Sequence, residues 1–458
     1  MFGGFVQDDR RVIIGDSGLG KWDNLFDVWI NPYYKNDPGS GAYRPLTSFS
    51  FSVDSLVFGK QPWSFRMVNV LLFGSVCVVV YELMKRIFGR DRDAFWVAIL
   101  YSVLPIHTEA VNNIVGRGEI LASGLVVLTL VLAMEKKWEL SILMCFLAIL
   151  AKESAIVWLL PLGIMVWSSK MKNDVKGGLT VSVLIGLAGY FLLRFGVLGS
   201  GMFSDNATIV ENPLKFIPTT QRVMAGVGLV AFGVSKVIFP FNLSYDYSFE
   251  QLKLTSLTGE WLVVGVTIIF ISIWLTRRKV AILCWGLSFL WLPLLVTGNI
   301  LKPIGTIFGE RLWFLPSLGV VMIFVWIWGK VTSKKAEWVM WVLVLVFGGR
   351  TLSRNFDWLS ERKLFINDAV YAKGSVLAQN NAAAMYLLQG KYDEAKIYLE
   401  RAEAIFPKYP ELMYNWGVYF FGKGDRDEAQ RRLDSCLKLH KGFRLCSQKV
   451  EDLPKWVE

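Results

Sequence analysis

Long apolar runs, separated by short clusters of charged residues, make up most of the chain between residues 67 and 353. A membrane-spanning helix needs about 20 predominantly apolar residues, with a range of roughly 17–25. The pattern therefore predicts an all-α, multi-spanning membrane domain over 67–353. Several runs are shorter than a full span, and we expect these to extend into their polar flanks. The apolar runs lie at 67–84, 94–112, 119–134, 138–151, 154–168, 178–198, 222–240, 260–276, 280–298, 312–329 and 337–353.

The segment before the first run is polar and rich in turn formers. Residues 7–65 contain pairs such as Asn31-Pro32, which favour turns over regular structure. We therefore expect 1–66 to form a long external loop ahead of the first full span.

Basic residues cluster in every second linker between the runs, and this sets an orientation. Linkers rich in Lys and Arg face the cytoplasm in membrane proteins. This rule predicts that 7–65, 113–118, 199–221, 299–311 and 354–458 lie on the outer side. The basic linker residues are Lys85, Arg86, Arg90, Arg92, Lys136, Lys137, Lys170, Lys172, Lys176, Arg277, Arg278, Lys279, Lys330, Lys334 and Lys335.

One run, 222–240, breaks the alternation. If it spanned the membrane, the later basic linkers would fall on the outer side. We expect it to be re-entrant or to lie in the interface with both ends outside. The alternative is that one of the short earlier runs does not span.

The C-terminal part carries an internal repeat with a period of 34 residues. A 34-residue period, with Gly before the second helix and Ala at the helix contact, indicates tetratricopeptide repeats. We therefore predict a linker over 354–374 and two such repeats over 375–458. The matching pairs are Asn381/Asn415, Leu387/Phe421, Gly390/Gly424, Asp393/Asp427, Glu394/Glu428, Ala395/Ala429 and Leu399/Leu433.

Composition supports a membrane protein and excludes a nucleic-acid binder. Hydrophobic residues make up 53% of the chain and charged residues only 19%. The net charge of +11 fits cytoplasmic linkers, since no compact basic patch with interleaved aromatic residues occurs. Of the five Cys residues, only Cys436 and Cys446 lie in the repeat segment. They would pair only in an oxidising compartment, and no CxxC spacing suggests a metal or redox site.

An acidic pair opens the first external loop. Asp8 and Asp9 stand at the membrane boundary, where a carboxylate could act as a general base or bind a divalent cation. A solvated acidic turn is the alternative explanation of the pair.

Further ionisable residues fall on the predicted outer side. Charged groups at membrane depth are costly and usually face a cavity or one another. Cations there suit a lipid-linked phosphate, which Arg grips with two hydrogen bonds, while a nearby carboxylate could deprotonate an acceptor hydroxyl. The set favours a transferase that uses a lipid-phosphate donor, with an interfacial salt-bridge cluster as the alternative. These residues are His107, Glu109, Arg117, Lys152, Glu153, Glu310 and Arg311.

Seven motifs occur in an order that resembles a known family. The chain resembles the membrane O-mannosyltransferases with tetratricopeptide repeats (the TMTC family), a branch of the GT-C glycosyltransferase superfamily. The resemblance covers nearly the whole chain. The motifs are Phe5-Val6-Gln7-Asp8-Asp9-Arg10, Tyr43-Arg44-Pro45-Leu46-Thr47, His107-Thr108-Glu109-Ala110-Val111, Gly116-Arg117-Gly118-Glu119, Ala151-Lys152-Glu153-Ser154, Leu243-Ser244-Tyr245-Asp246-Tyr247-Ser248 and Glu310-Arg311-Leu312-Trp313-Phe314-Leu315-Pro316-Ser317.

The resemblance implies an inverting transfer of a sugar, with mannose expected, from a polyprenyl phosphate to a protein Ser or Thr. It implies that the base is one of Asp8 and Asp9, with Asp8 favoured by analogy with related mannosyltransferases. The donor phosphate would be held by Arg117, Lys152, Arg311 and His107, and the donor is a lipid-linked sugar. No metal cofactor is expected, although a divalent cation is compatible with the acidic pair. Further site candidates are Glu109, Glu153, Arg44, Asp246 and Glu310.

The chain departs from the family's pattern at its start, and its repeats suggest a partner and a compartment. Family members carry a membrane helix before the acidic pair, and only six residues precede Gln7, so we expect that helix to be missing here. The repeats are expected to hold the acceptor protein. We expect a bacterial inner membrane with the repeats on the periplasmic side, or alternatively the endoplasmic reticulum with the repeats in the lumen. Competing functions are a glycosyltransferase for lipid or glycan acceptors, and an inactive scaffold or transporter that uses the repeats for partner binding.

Overall fold

The computed structural model describes residues 3–6, 8–35, 40–168, 172–203, 207–278, 280–330, 334–441 and 443–453. Every regular element within these residues is a helix, which confirms the all-α prediction. The helices of the first external loop and the membrane domain are α1 Asn24–Asp27, α2 Pro45–Phe58, α3 Pro62–Phe88, α4 Asp91–Val103, α5 Thr108–Asn112, α6 Arg117–Met134, α7 Trp138–Ala151, α8 Leu159–Ser168, α9 Asn173–Leu198, α10 Thr219–Ile238, α11 Leu254–Thr258, α12 Glu260–Arg277, α13 Ala281–Thr297, α14 Phe314–Trp328 and α15 Lys334–Asp357. Those of the C-terminal part are α16 Glu361–Tyr371, α17 Val376–Leu387, α18 Tyr392–Ile405, α19 Pro410–Gly422 and α20 Arg426–Leu439.

Each predicted apolar run contains a helix, and the chain is a multi-pass membrane protein. Six helical stretches of the described residues are long and apolar enough to cross a membrane. The run 94–112 is not one straight span, because α4 and the following helical turns meet at an angle of 52°. Pro105 causes this bend: Leu104 before it is extended, with ψ at 122°, as a residue preceding proline prefers.

The first external loop contains more helix than its polar sequence predicts. Pro45 occupies the first turn of α2 and Gly59 ends that helix with a φ of 68°, so both ends carry ordinary helix signals. The interior of α2 is rich in Ser and Thr, which lower helix propensity. The boundary predicted at 66/67 also differs from the structure, because α3 already begins at Pro62.

Ion pairs divide the membrane domain into two polar ends. At one end the predicted cytoplasmic linkers meet, with Arg86 contacting Glu135 at 2.5 Å and Arg92 contacting Glu337 at 3.0 Å. At the other end lie the candidate site residues. The side chains of Lys334 and Lys335 are not described, and Gln7, Lys170 and Lys279 lie outside the described residues.

Contacts of α10 favour the interfacial interpretation of the run 222–240. In its first half, a Cβ added to Gly226 would lie 2.9 Å from the Gly298 carbonyl oxygen, beyond the outer end of α13. In its second half, the same construction at Gly233 would meet the Trp313 ring, just before α14. Both neighbours lie at the predicted outer end of the domain, as an interfacial helix requires. Thr219–Ile238 is also one of the six helices long and apolar enough to cross a membrane, so the placement of α10 stays a prediction.

The C-terminal part is built from two helical hairpins, α17–α18 and α19–α20. Each helix of the second hairpin begins 34 residues after its counterpart in the first. The repeated positions Ala395, Ala429, Leu399 and Leu433 are fully buried in the core of these hairpins, so the period reflects helix packing. Cys436 and Cys446 form a disulfide, with the two Cα atoms 6.1 Å apart.

The segment 354–374, predicted as a linker, is a docking element. It contains α16, whose buried Asp368 accepts hydrogen bonds from both terminal nitrogens of Arg354 on α15, at 2.5 and 2.8 Å. Leu364 and Phe365 are buried on the same helix. The sequence did not predict this docking helix, because only one turn of α16 carries apolar residues at helical spacing and charged residues flank it.

The orientation of α10 can be tested by cysteine accessibility. In a background without Cys77, Cys145 and Cys284, we expect Gln221→Cys and Asn242→Cys to react with a membrane-impermeant maleimide from the outer side. Both positions are exposed; Gln221 lies in the first turn of α10 and Asn242 lies after its end.

Lys137→Cys, exposed in a cytoplasmic linker, is the control and should react only after permeabilisation. Labelling of Gln221→Cys and Asn242→Cys from opposite sides would show that α10 spans the membrane.

Candidate active site

A small polar cavity of about 40 Å³ opens at the end of the membrane domain opposite the predicted cytoplasmic linkers. The first external loop, the turn between α5 and α6, and the segments that precede α8 and α14 form its walls. Its lining side chains include Asp8, Tyr33, Tyr34, Arg44, Glu119, Lys152 and Arg311.

The two members of the acidic pair have different surroundings. Asp8 is partly exposed and lines the cavity. Asp9 is fully buried, and its two carboxylate oxygens accept the backbone N–H groups of Val6 and Val115, each at 3.1 Å. Asp9 therefore attaches the start of the chain to the turn before α6, while Asp8 faces the cavity.

A second contact fastens the same segment. The buried Arg66 of α3 donates hydrogen bonds to the carbonyl oxygens of Gly3 and Gly4. It also donates to the carbonyl of Asn112 at 2.9 Å. Asp9 and Arg66 together set the backbone position from which Asp8 projects.

Three cations line the cavity, and each is paired with a carboxylate from another segment. Arg44 holds Glu153 through Nε at 3.0 Å and Nη2 at 2.8 Å.

Lys152 contacts Glu119, and Arg311 contacts Glu109 through both its guanidinium and its backbone N–H. The Arg311 side chain keeps 30% of its surface exposed, against 10% for Lys152. Of these two cations, Arg311 is therefore the more accessible to a ligand.

Burial shifts the pKa of two groups of the first external loop. It raises the pKa of Asp9 to about 7, against the opposing backbone hydrogen bonds from Val115 and Val6. It also raises the pKa of Tyr34 to about 12, with the Asp8 charge acting in the same direction. Tyr34 is therefore a hydrogen-bond donor at neutral pH, whereas Asp9 titrates near neutrality.

Two residues expected to bind the phosphate do not line the cavity. Arg117 is fully buried, with hydrogen bonds to Asn69 at 2.7 Å and the Phe65 carbonyl at 2.9 Å and an ion pair to Asp54 at 2.6 Å. The structure therefore assigns Arg117 to the packing of the first loop on α3 and α6.

His107 is likewise buried in the core. Its Nε2 lies 2.8 Å from the Ser317 hydroxyl. The rings of Tyr101 and Phe314 enclose it, with centroids at 4.5 and 4.8 Å. A histidine in this setting joins α14 to the turn after α4 and does not face the cavity.

Asp246 and Glu310 also lie away from the cavity walls. Glu310 accepts the Ser244 N–H at 2.7 Å and the Tyr247 hydroxyl at 2.6 Å. Asp246 accepts the Ser248 hydroxyl at 2.7 Å. Both belong to contacts between the loop 244–248 and its neighbours.

Tyr33 and Tyr34 are cavity residues that the sequence did not single out. Tyr33 is 4% exposed, and its hydroxyl has no hydrogen-bond partner within the described part of the chain. Arg44 stacks on its ring, 5.1 Å from the centroid. The sequence signal for these two residues was an aromatic pair directly after the Asn31-Pro32 turn. Such a pair could equally be an interfacial anchor.

A smaller, mainly apolar cavity of about 20 Å³ adjoins the polar one. The two share Glu119 in their walls. The apolar cavity lies between α6, α13 and α14. Its other lining residues include Ala122, Val126, Ala155, Trp158, Leu315 and Pro316.

This arrangement suits a ligand with an anionic centre, polar groups and an apolar tail. Arg44, Lys152 and Arg311 provide positive charge, Asp8 provides a carboxylate, and Tyr33 provides an unpaired hydroxyl. Within the described residues, no three metal-binding side chains come together to hold an ion.

Comparison with known proteins finds related membrane enzymes. A family model described as dolichyl-phosphate-mannose-protein mannosyltransferase matches residues 42–191. Among curated proteins, the Mus musculus protein O-mannosyl-transferase TMTC3 is 25% identical over 89% of this chain and 49% of its own length. The Mus musculus TMTC4 is 25% identical over 79% and 58%, and the Homo sapiens TMTC1 is 24% identical over 94% and 55%.

This chain spans about half the length of the curated relatives that it matches. No solved structure matches it. The relatives named above are animal proteins, so the comparisons lend no support to the expected bacterial inner membrane. The resemblance indicated by the motifs is confirmed: over most of its length, the chain is similar to the TMTC-type protein O-mannosyl-transferases.

Proposed function

We propose that this chain transfers a mannosyl group from a polyprenyl-phosphate donor to a Ser or Thr hydroxyl of a protein, at the outer face of the membrane. The observation that carries the proposal is the cavity in which Asp8 faces Arg44, Lys152 and Arg311. The similarity to protein O-mannosyl-transferases supplies the reaction class.

In the proposed reaction, Asp8 is the general base. It takes the proton of the acceptor hydroxyl as that oxygen bonds to the anomeric carbon of the sugar. The bond between this carbon and the phosphate oxygen breaks, and the phosphate leaves with the electron pair. Attack from the side opposite the phosphate inverts the anomeric configuration.

The cavity cations neutralise the departing phosphate. Arg311 is the strongest candidate, because it lines the cavity with 30% of its side chain exposed and Arg binds phosphate with two parallel hydrogen bonds. Arg44 and Lys152 add positive charge that becomes more valuable as the phosphate gains charge in the transition state. Glu109, Glu153 and Glu119 hold these cations in place before the donor arrives.

The first units of the prenyl chain would enter along the adjoining, mainly apolar cavity, which would have to widen to admit them because it has room for little more than a water molecule. Its walls are lined mainly by apolar side chains of α6, α13 and α14, and it meets the polar cavity at Glu119. Burial of apolar surface there would contribute to donor affinity at about 25 cal/mol per Å².

The hairpins α17–α20 would hold the acceptor protein, as a pair of tetratricopeptide repeats. Their disulfide between Cys436 and Cys446 fits an oxidising compartment. Both expected compartments, the periplasm and the lumen of the endoplasmic reticulum, meet this condition.

A transfer assay tests the base. With polyprenyl-phosphate-mannose and a Ser/Thr peptide, we expect Asp8→Asn to lower kcat by about 10²–10⁴-fold, the usual contribution of a general base. The donor KM should change little.

Asp23→Asn is the matched control, because Asp23 is an exposed carboxylate of the same loop that does not line the cavity. This variant should retain full turnover. Unchanged turnover in Asp8→Asn would remove Asp8 from the mechanism.

The prenyl-chain site can be tested by filling the apolar cavity. Ala122→Leu should raise KM several-fold for a long-chain donor and much less for a short-chain donor, because the added carbons occupy the space for the chain. Ala133→Leu makes the same change on the same helix, at a buried position towards the cytoplasmic end. Equal effects on long and short donors in Ala122→Leu would contradict the proposal.

Asp9 should make stability depend on pH. Because its pKa rises from 3.8 to about 7 on folding, the folded state binds its proton more tightly than the unfolded state. Its contribution is fully present below pH 4 and is lost as the pH rises through 7. At about 1.4 kcal/mol per pKa unit, the whole change is on the order of 4 kcal/mol.

Unfolding of the detergent-solubilised protein, followed from pH 5 to pH 8, measures this effect. Asp9→Asn cannot ionise, so its stability should fall less over this range than that of the unmodified protein. Parallel curves for the two proteins would show that Asp9 does not titrate in the folded state.

A further inference from the structure

The loop 244–248, between α10 and α11, lies between the start of α14 and the C-terminal helices. The loop contacts the two regions through two buried carboxylates, Glu310 and Asp368, each fully buried. Glu310 immediately precedes the cavity residue Arg311. Asp368 lies on α16, which leads into the helical hairpins.

On the membrane side, one carboxylate oxygen of Glu310 accepts two hydrogen bonds from the loop. The Ser244 N–H donates to its Oε1 at 2.7 Å, and the Tyr247 hydroxyl donates to the same atom at 2.6 Å. The backbone at residue 310 is therefore fixed relative to the loop.

On the side of the C-terminal helices, Asp368 holds the next residue of the loop. Its Oδ2 accepts the Tyr245 N–H at 2.6 Å, while Arg354 donates to both oxygens. A second contact comes from α17, where the Asn381 side chain donates to the Tyr245 hydroxyl at 3.0 Å. The loop thus connects α16 and α17 to Glu310.

Arg311 is consequently held on two sides. Its own N–H donates to Glu109 at 2.9 Å, and the preceding residue is bound to the loop. Neither Glu310 nor Asp368 lines the cavity, so neither would touch a donor there.

We propose that Glu310 is a positioning residue through which the docked C-terminal helices set the place of Arg311 in the cavity. The effect of this link on catalysis rests on the proposed function. The mechanical link itself rests only on the contacts described above. A misplacement of about 1 Å at a reacting centre is enough to cost a large factor in rate.

Hydrogen exchange of the detergent-solubilised full chain tests the mechanical link without any activity. Glu310→Ala and Tyr247→Phe should raise amide exchange in residues 309–313 and 244–248. Glu310→Gln keeps an acceptor oxygen for Ser244 and Tyr247, so it should leave exchange unchanged. Asp368→Asn should raise exchange in 309–313, although residue 368 is distant in sequence.

Thr351→Val is the matched control, because it removes one hydroxyl hydrogen bond, to the Val103 carbonyl at 2.7 Å, at the same end of the domain. It should not change exchange in 309–313. Unchanged exchange there in both Glu310→Ala and Tyr247→Phe would overturn the link, whether or not the protein transfers mannose.

Kinetics test the consequence for Arg311. Tyr247→Phe should raise the donor KM severalfold with the acceptor KM nearly unchanged, because it removes the hydrogen bond to Glu310 and the one that the Tyr247 hydroxyl accepts from the Ser244 N–H at 3.0 Å. In the Arg311→Gln background the same change should have little further effect. Additive effects of the two substitutions would show that Tyr247 does not act through Arg311. Absence of transfer by the unmodified protein would refute the proposed function and leave the exchange result standing.

Discussion

A buried charge at the outer end of this membrane domain has to be paired, because its low-dielectric surroundings replace little of the hydration that it loses. Arg44, Lys152 and Arg311 each meet this requirement with a carboxylate from another segment of the chain. The pairs therefore join α2 to the segment before α8, α7 to α6, and the start of α14 to α5. Lys152 and Glu119 form the most buried of the three pairs, and removing one partner of such a pair costs roughly 3–5 kcal/mol. The same contacts that hold the helices together also place the charges that shape the cavity.

The apolar pattern was sufficient to predict the membrane helices, because lipid requires long uninterrupted apolar segments. It was insufficient for α2 and α16, which lie outside the bilayer and bury only part of their surface. The basic linkers correctly grouped Arg86 and Arg92 at one end. The cavity residues lie at the opposite end from these linkers, and which end faces outward stays a prediction.

The sequence could not predict which of these side chains face the cavity and which face the interior. Arg117 and Arg311 are both arginines at the outer end of a helix, yet Arg117 is fully buried and Arg311 lines the cavity. The difference depends on what packs over each residue, and residues distant in sequence, such as Asn69 and Asp54, determine it. Asp8 and Asp9 show the same limit at adjacent positions. Successive residues of a helical turn point about 100° apart, so one faces the cavity and the other the interior.

The attachment of α16 and α17 to the loop 244–248 has a consequence for which acceptor residues are within reach. A protein bound to hairpins that swivelled freely would present many hydroxyls to the cavity at low effective concentration. If the hairpins hold the acceptor as proposed, their attachment through Asp368 and Asn381 would fix the distance between the binding surface and the cavity. An extended chain covers at most about 3.3–3.6 Å per residue, so this distance would set a minimum number of residues between a bound segment and a modified Ser or Thr. The docked helices would then select acceptor sites by their spacing along the partner chain.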